Sequence, residues 1–529
     1  MKNTKRRWMV LILVVAFILL PTRVRAQEDL TQTPGVLRVG MEANYAPFNW
    51  SQSDEKNEAY PLANSNGEYV TGYDVWMAKK LADGLGYKLE IVKIEWDGLT
   101  PALLSGKIDA IIAGMSPTSE RKEAIDFSSE YYSSDLVIVV PKSSPLMEAK
   151  SIQDFSGKRI VGQLNTFHNV VIDQIQGVEH MTPLDSFPTM ISSLKSNQVD
   201  GYVSERPGAM AAIVSHPDLD FVSFEEGQGF EADPEFTTVA VGTRKNSALT
   251  QEISSLLSNI SEGERQEAME RMIYYNSGLT PPSKNFFSQM GNILENYGPL
   301  FLRGAAMTML ISILSTVIGF VIGLFAQVIR VIPIKTQQMS LKNALIHFLK
   351  ILINIYIELF RGTPMMVQSM LIFYGSKLFL NIDMSASFAA ILIVSINTGA
   401  YLAEVIRGGI DSVDKGQFEA CKAIGLSHWQ TMSLVILPQT IKAILPSIAN
   451  EFVVNIKDTS VLNVISVTEL FFVSKSIAGS TYLIFQTYLI TAVIYLVLTF
   501  LTTRLINYFG RRTGKMEPFV LSSVTGGQQ

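Results

Sequence analysis

Five apolar runs constrain this chain more than anything else in it. They cover residues 302–329, 345–380, 386–408, 438–456 and 482–506, each long enough to cross a hydrocarbon core of about 30 Å as a helix. Lipid offers the backbone no water to bond to, so only helices or a closed barrel can span it. Runs this long and this continuous predict helices, hence an all-α polytopic domain of about five spans. The second run is long enough to hold a break, and Arg361-Gly362-Thr363-Pro364 is where proline would place it.

Charge divides the chain. Residues 298–529 carry a net +7, residues 27–297 a net −18 and residues 1–26 a net +6. An acidic soluble half is therefore joined to a basic membrane half. The N-terminus, Lys2 to Arg7, precedes an apolar run from Trp8 to Leu20 that is too short to span comfortably and is broken by Pro21. With Val24-Arg25-Ala26 offering a small residue for cleavage, residues 1–26 read as a signal peptide. The soluble half is then expected outside the cell. Cys421 is the single cysteine, so no intrachain disulfide forms and no thiol near the cleavage site takes a lipid. The expected layout is a signal peptide at 1–26, a soluble domain at 27–280, a linker at 281–297, a membrane domain at 298–512 and a polar tail at 513–529. The linker begins in Pro281-Pro282, an extended spacer.

The soluble half alternates short β-rich runs (Leu37–Met41, Leu89–Ile94, Ala110–Ala113) with helical ones (Tyr73–Leu85, Leu99–Leu104). Such alternation predicts an α/β fold with largely parallel strands. Gly106-Lys107-Ile108-Asp109-Ala110 and Val199-Asp200-Gly201-Tyr202 read as one helix-to-strand transition occurring twice. Two lobes with a ligand cleft between them are the economical inference.

Val39 to Trp50, Gly72-Tyr73-Asp74-Val75, Trp96-Asp97-Gly98-Leu99, the block Gly114-Met115-Ser116-Pro117-Thr118-Ser119-Glu120-Arg121 and Asp126-Phe127-Ser128 occur in that order. Together they resemble the polar amino-acid binding proteins of ABC importers, a bilobal α/β family of the type II periplasmic-binding-protein kind. The resemblance implies lobe crossings near Tyr132–Ile138 and Phe221–Phe224. It implies Arg121 as the carboxylate anchor, with Ser116 and Thr118 as further donors; a planar guanidinium suits a carboxylate better than a lysine would. It sets Tyr45 and Trp96 about the ligand side chain and Glu205 on the ammonium. Asn165-Thr166 stands where the family usually has Gly-Thr, and Asn tolerates the left-handed backbone a glycine would take there. Glu42 stands where relatives that bind cationic amino acids carry an acid, though glutamine binders can carry one too, and Gln163 suits an amide. Lysine, arginine or histidine, with glutamine close behind, are the expected ligands.

In the membrane half, Glu358-Leu359-Phe360-Arg361-Gly362-Thr363-Pro364, Tyr401 to Gly409 and Lys457-Asp458-Thr459-Ser460-Val461 resemble type I ABC importer permeases of the polar amino-acid branch. The loop Gln417–Pro438 reads as a short helix, a turn at Gly425 and a second helix stopped before proline. With Glu419-Ala420-Cys421 and Gly425 it resembles the EAA loop that docks on the ATPase, Cys421 replacing an alanine. Glu419, Ala420 and Gly425 are the docking residues this implies. Five spans that start outside place Arg330, Lys335 and Lys342, this loop, and Arg504, Arg511, Arg512 and Lys515 in the cytoplasm, as the positive-inside rule requires. Glu404 falls inside a span and needs a partner or a polar cavity.

No Gly-x-x-x-x-Gly-Lys-Ser/Thr occurs in the sequence, and five His with one Cys form no metal motif. The chain is thus expected to be no enzyme and to bind no cofactor or nucleic acid; ATP and Mg would sit on a separate cytoplasmic ATPase. The reading is a binding protein fused to its permease in the plasma membrane, multi-pass in lipid, paired as a homodimer by resemblance, with the binding domain outside and the C-terminus inside. A ligand-gated ion channel with an amino-acid-binding ectodomain is the alternative. In that class, however, the pore interrupts the binding domain, and here both lobes finish before the first span.

Overall fold

The computed structural model describes residues 30–512 except 134, 226, 232–236, 278–284 and 334–340. The signal peptide, the Pro281-Pro282 spacer, Lys335 and the polar tail lie outside the described residues.

Among the described residues, the N-terminal half holds two five-stranded sheets and a smaller four-stranded one, Asn44–Tyr45, Asn49–Gln52, Tyr69–Thr71 and Tyr60–Pro61 in that order. In the first lobe the strand order is Lys88–Lys93, Val36–Met41, Ala110–Ile111, Thr238–Thr243, Asp126–Ser133. The first three run parallel, Val36 opposite Lys88 and Val39 opposite Ala110. The second lobe has the order Glu179–His180, Arg159–Val161, Gly201–Glu205, Leu136–Pro141, Leu219–Val222. The repeated transition seen in the sequence serves one purpose in both lobes. Asp109 accepts from the Arg38 backbone N–H at 3.2 Å, and Asp200 from that of Arg159 at 2.9 Å. Each carboxylate pins a parallel strand of its sheet, Val36–Met41 or Arg159–Val161, to the turn that comes after a helix.

Helix Tyr73–Leu85 shows how the sequence builds these parts. Gly72 has φ 130°, and a Cβ there would sit 2.3 Å from the Phe48 carbonyl; Gly86 ends the helix in the left-handed region. Asp74, buried in its first turn, accepts from Asn49 Nδ2 at 2.6 Å and Tyr131 Oη at 2.7 Å, and Tyr131 Oη in turn accepts from Gly114 N at 3.1 Å. The helix is thereby tied to the turn that carries Ser116 and Arg121.

The chain passes to the second lobe between Ser133 and Leu136. Its return lies later than the sequence suggests. Phe224 packs on Phe155 at 6.2 Å between ring centroids and on Phe230 at 6.3 Å, and Gln174 Nε2 donates to Glu231 O at 2.6 Å. Because those rings pack on the second lobe's core, the chain leaves it only after Glu231.

Among the described residues of the C-terminal half, five helices are long and apolar enough to cross a membrane: Phe286–Val331, Leu341–Gly362, Ala386–Asp411, His428–Ile465 and Ile484–Tyr508. The first starts at Phe286, so residues 286–297, expected as linker, are helical; Asn285 caps them, accepting from Phe287 N at 3.1 Å. Helix Leu341–Gly362 stops at the Arg361–Pro364 break, and Met365–Leu380 begins after Pro364. Glycines bring the first and third spans close: a Cβ on Gly323 would meet Ala403 N at 2.8 Å, and one on Gly319 would meet Thr398. Asn455 then bridges three helices, donating to Thr316 Oγ1 at 2.9 Å and accepting from Thr398 Oγ1 at 3.2 Å.

The two halves share packing. Helix Leu470–Thr481, between the last two spans, lies against both lobes. Ser480 Oγ donates to Ser51 O at 2.9 Å, and Tyr482 Oη donates to Ala46 O at 2.9 Å. From the second lobe His216 Nε2 meets Tyr482 O at 3.0 Å. Beneath this helix the buried pair Lys93–Glu68 turns its ammonium to the Phe472 ring, 4.7 Å from the centroid.

Candidate functional site: an interlobe cleft

The cleft between the lobes is lined by Glu42, Asn44, Tyr45, Trp96, Gly114, Ser116, Arg121, Gln163, Thr166, Phe167, His168, Ser186, Phe187 and Pro188. Seven of the nine expected ligand residues are on that surface: Glu42, Tyr45, Trp96, Ser116, Arg121, Gln163 and Thr166. The other two stand just behind it. Thr118 caps helix Ser119–Ala124, its hydroxyl 3.4 Å from Arg121 N. Glu205 accepts from Tyr45 Oη at 2.7 Å.

Arg121 is positioned from three sides. Its Nη1 donates to Ser116 O at 2.8 Å, its Nη2 crosses to Asn165 O in the second lobe at 3.1 Å, and its guanidinium lies 5.2 Å from the Trp96 ring centroid. Burial pulls its pKa down to about 10, which leaves it charged at neutral pH. Asn165 adopts φ 58°, the left-handed backbone expected of the residue that replaces glycine.

The opposite pole is acidic. Burial pushes Glu205 up to about 7, against the lowering hydrogen bond from Tyr45. Glu42 is likewise pushed up to about 7 by burial, although it accepts from the Trp96 backbone and Asn44. His168 was not singled out from the sequence. Thr166 Oγ1 donates to Gln163 O at 2.8 Å and lies 3.2 Å from His168 Nδ1. With its hydroxyl proton so used, Thr166 accepts from Nδ1–H, and the tautomer assigned by that network leaves Nε2 as a lone pair. Burial, then Arg121, lowers His168 to about 3, so the ring is neutral. Its Nε2 is buried without a hydrogen bond, 3.7 Å from Glu205 Oε1. With Glu205 ionised, that contact is two acceptors facing one gap, not an ion pair. A donor cation is what such a gap accommodates.

The lobes are closed on one another. Tyr45 stacks across the interface on Phe187 at 5.0 Å and 7°, adding to its bond to Glu205. About 30 Å³ of free space remains, room for roughly one water, so an amino acid enters only when the lobes part. A larger cavity of about 760 Å³ lies between the first lobe and the membrane helices. Its charges are already engaged: Lys107 with Asp383 at 3.1 Å, and Arg303 with Gly67 O at 2.7 Å. Nothing there awaits a zwitterion.

Across the membrane half, Glu404 accepts from Arg330 Nη1 at 2.6 Å and Arg407 Nε at 2.8 Å. Both carboxylate oxygens are thus taken up by structural partners. The loop after Asp411 forms helix Lys415–Ala423, capped by Asp414 and ended at Gly425 with φ 80°. The second helix does not stop before Pro438. It passes through a π-turn, Thr431–Ile436, into Leu437–Asp458, where Pro438 sits in the first turn and its missing N–H costs little. Glu419, Ala420 and Gly425 are exposed, as are Ile424 and Trp429, whereas Cys421 is buried.

Residues 37–274 match the bacterial extracellular solute-binding proteins, family 3, and residues 345–515 match the binding-protein-dependent transport system inner membrane component. The glutamine transport system permease protein GlnP of Escherichia coli K12 is 35% identical over 215 residues, 40% of this chain and 93% of its own length. The nopaline transport system permease protein NocM of Agrobacterium fabrum is 33% identical over 223 residues, 40% of this chain and 87% of its own. Among solved structures, an arginine-bound amino-acid ABC transporter substrate-binding protein from Streptococcus pneumoniae is 27% identical with a TM-score of 0.39, covering 45% of this chain and 95% of that one. None of these matches supports the ligand-gated channel alternative. The chain belongs to the amino-acid ABC importers, with a solute-binding domain and a multi-pass permease domain fused in one polypeptide.

Proposed function

We propose that this chain captures and translocates polar amino acids, cationic ones (lysine, arginine, histidine) or glutamine, for an importer driven by a separate cytoplasmic ATPase. The observation that supports this most is that one closed cleft brings together a fixed guanidinium at Arg121 and the acceptors Glu205 and His168, with Glu42 on the same lining. A zwitterion buried between the lobes must have both its charges paired. Arg121, with Ser116, Thr118 and the Asn165-Thr166 corner, takes the carboxylate. Glu205 and the His168 lone pair take the ammonium. Tyr45 and Trp96 flank the side chain, and Glu42 with Gln163 reads its far end, an acid for a cation or an amide for an amide.

The exposed strip of Glu419, Ala420, Ile424, Gly425 and Trp429 is the proposed docking surface for the ATPase, which would hold ATP and Mg. The basic loops support a cytoplasmic position for that surface and the C-terminus, with the lobes outside. Two copies of the permease domain would line one path, each carrying its own binding domain, with lipid on the apolar faces. Tethering makes delivery intramolecular, at an effective concentration on the order of millimolar.

Glu419→Lys tests the coupling. In proteoliposomes with the partner ATPase it is expected to abolish ATP-driven uptake while amino-acid binding persists; undiminished uptake would contradict the docking role.

A further inference from the structure

Helix Leu470–Thr481 of the permease domain places a cation at the corner of the amino-acid cleft. Lys475 Nζ pairs with Glu95 Oε2, and the two side chains are only 22% and 10% exposed. Glu95 precedes the cleft residue Trp96, whose backbone N–H bonds Glu42. The same ammonium is coupled to Glu42 and, across the cleft, to Asp185 of the second lobe. Asn44 completes the corner, its Nδ2 3.5 Å from Glu42 Oε1. From the permease side Gly479 packs directly on Asn44, where a Cβ would fall 2.4 Å from the Asn44 Cβ and 2.6 Å from its carbonyl oxygen. One corner therefore faces the ligand on its inner side and the permease on its outer side.

We infer that Lys475 is an internal competitor for the cationic end of the bound amino acid, occupying the Glu42–Glu95 corner when the binding domain docks and so loosening the ligand for release. A buried carboxylate, Glu95, beside a half-buried one, Glu42, is repelled by it, and a cation relieves both. Away from the permease, the guanidinium or ammonium of a cationic ligand supplies that charge. Docked, Lys475 supplies it, and a second cation in the same corner is repelled. Binding and docking are then linked with negative sign, each weakening the other by one common factor. A neutral amide side chain feels little of this, so the device discriminates by charge.

The inference rests on the cationic-ligand reading of the cleft, and one experiment separates the two. The full chain in lipid nanodiscs is titrated calorimetrically with L-arginine and with L-glutamine. Lys475→Gln is expected to tighten L-arginine about tenfold, within the usual range of such couplings, and to leave L-glutamine within about twofold. Lys475→Arg keeps the charge and should keep the wild-type affinity. Gly479→Ala, a good helix residue that clashes with Asn44 on docking, should tighten L-arginine as Lys475→Gln does. L-Arginine affinity unchanged in Lys475→Gln, or L-glutamine tightened equally, would overturn the inference. Failure of the wild-type chain to bind L-arginine at all would instead remove the cationic-ligand reading and the inference with it.

Discussion

Glu205 at the cleft and two carboxylates of the supporting structure, Glu404 and Glu68, are treated in opposite ways. Glu404 has an arginine on each oxygen, and Glu68 is sealed against Lys93 with both side chains 1% exposed. For Glu68 burial pushes upward, but the adjacent ammonium and hydrogen bonds prevail and hold it below the ordinary carboxylate range. Glu205 is just as buried, yet within the cleft it receives a phenol hydrogen bond and faces a histidine lone pair, so burial prevails and lifts it to about 7. Glu68 and Glu404 are satisfied by the fold. Glu205 is left for the ligand to satisfy.

The largest expected effect breaks that contrast from the basic side. Arg121→Ala should cost about 3 kcal/mol or more in amino-acid binding, over a hundredfold, since it leaves a buried carboxylate unpaired. Calorimetry on the full chain checks it, and retained affinity would remove Arg121 from the site. Next comes pH. Glu205 and Glu42 have raised values, so each is ionised above about pH 7 and protonated below it. A cationic partner needs the ionised form, so affinity should hold at pH 8 and fall below pH 7, by about tenfold per unit for each group that must ionise. His168 stays neutral throughout this range and adds no slope. Smallest is the control on the structural side. Glu404→Gln should leave amino-acid affinity unchanged while lowering thermal stability by about 1 kcal/mol, since its arginines are partly exposed. A change in affinity there would erase the distinction drawn between the two regions.

Much of this architecture was legible in the sequence because it arises from local pattern. Apolar run length marks the spans, the strand and helix alternation marks the lobes, and the Gly114–Arg121 block contributes Gly114, Ser116 and Arg121 to the cleft surface. The Asn165 corner was legible for the same reason: few residues but Asn and Gly accept its positive φ. What stayed hidden depends on contacts distant in sequence. A lone histidine says nothing until Thr166 sets its tautomer and burial strips its charge. Pro438 reads as a stop, yet a π-turn absorbs it. Phe286 begins a helix within a stretch too polar to read as membrane, because the helix extends beyond the apolar run. Lys475 gave no signal at all, since its meaning depends on Glu95, 380 residues away along the chain.

The cleft acids, on this reading, wait for the ligand's positive charge. Calorimetry of L-arginine binding to the full chain at pH 6, in two buffers of different ionisation enthalpy, counts the protons that leave on binding. Release of about one proton or more is expected, as acids held near pH 7 ionise to pair the ligand. Binding with no proton released, or no binding by L-arginine or any other amino acid, would contradict it.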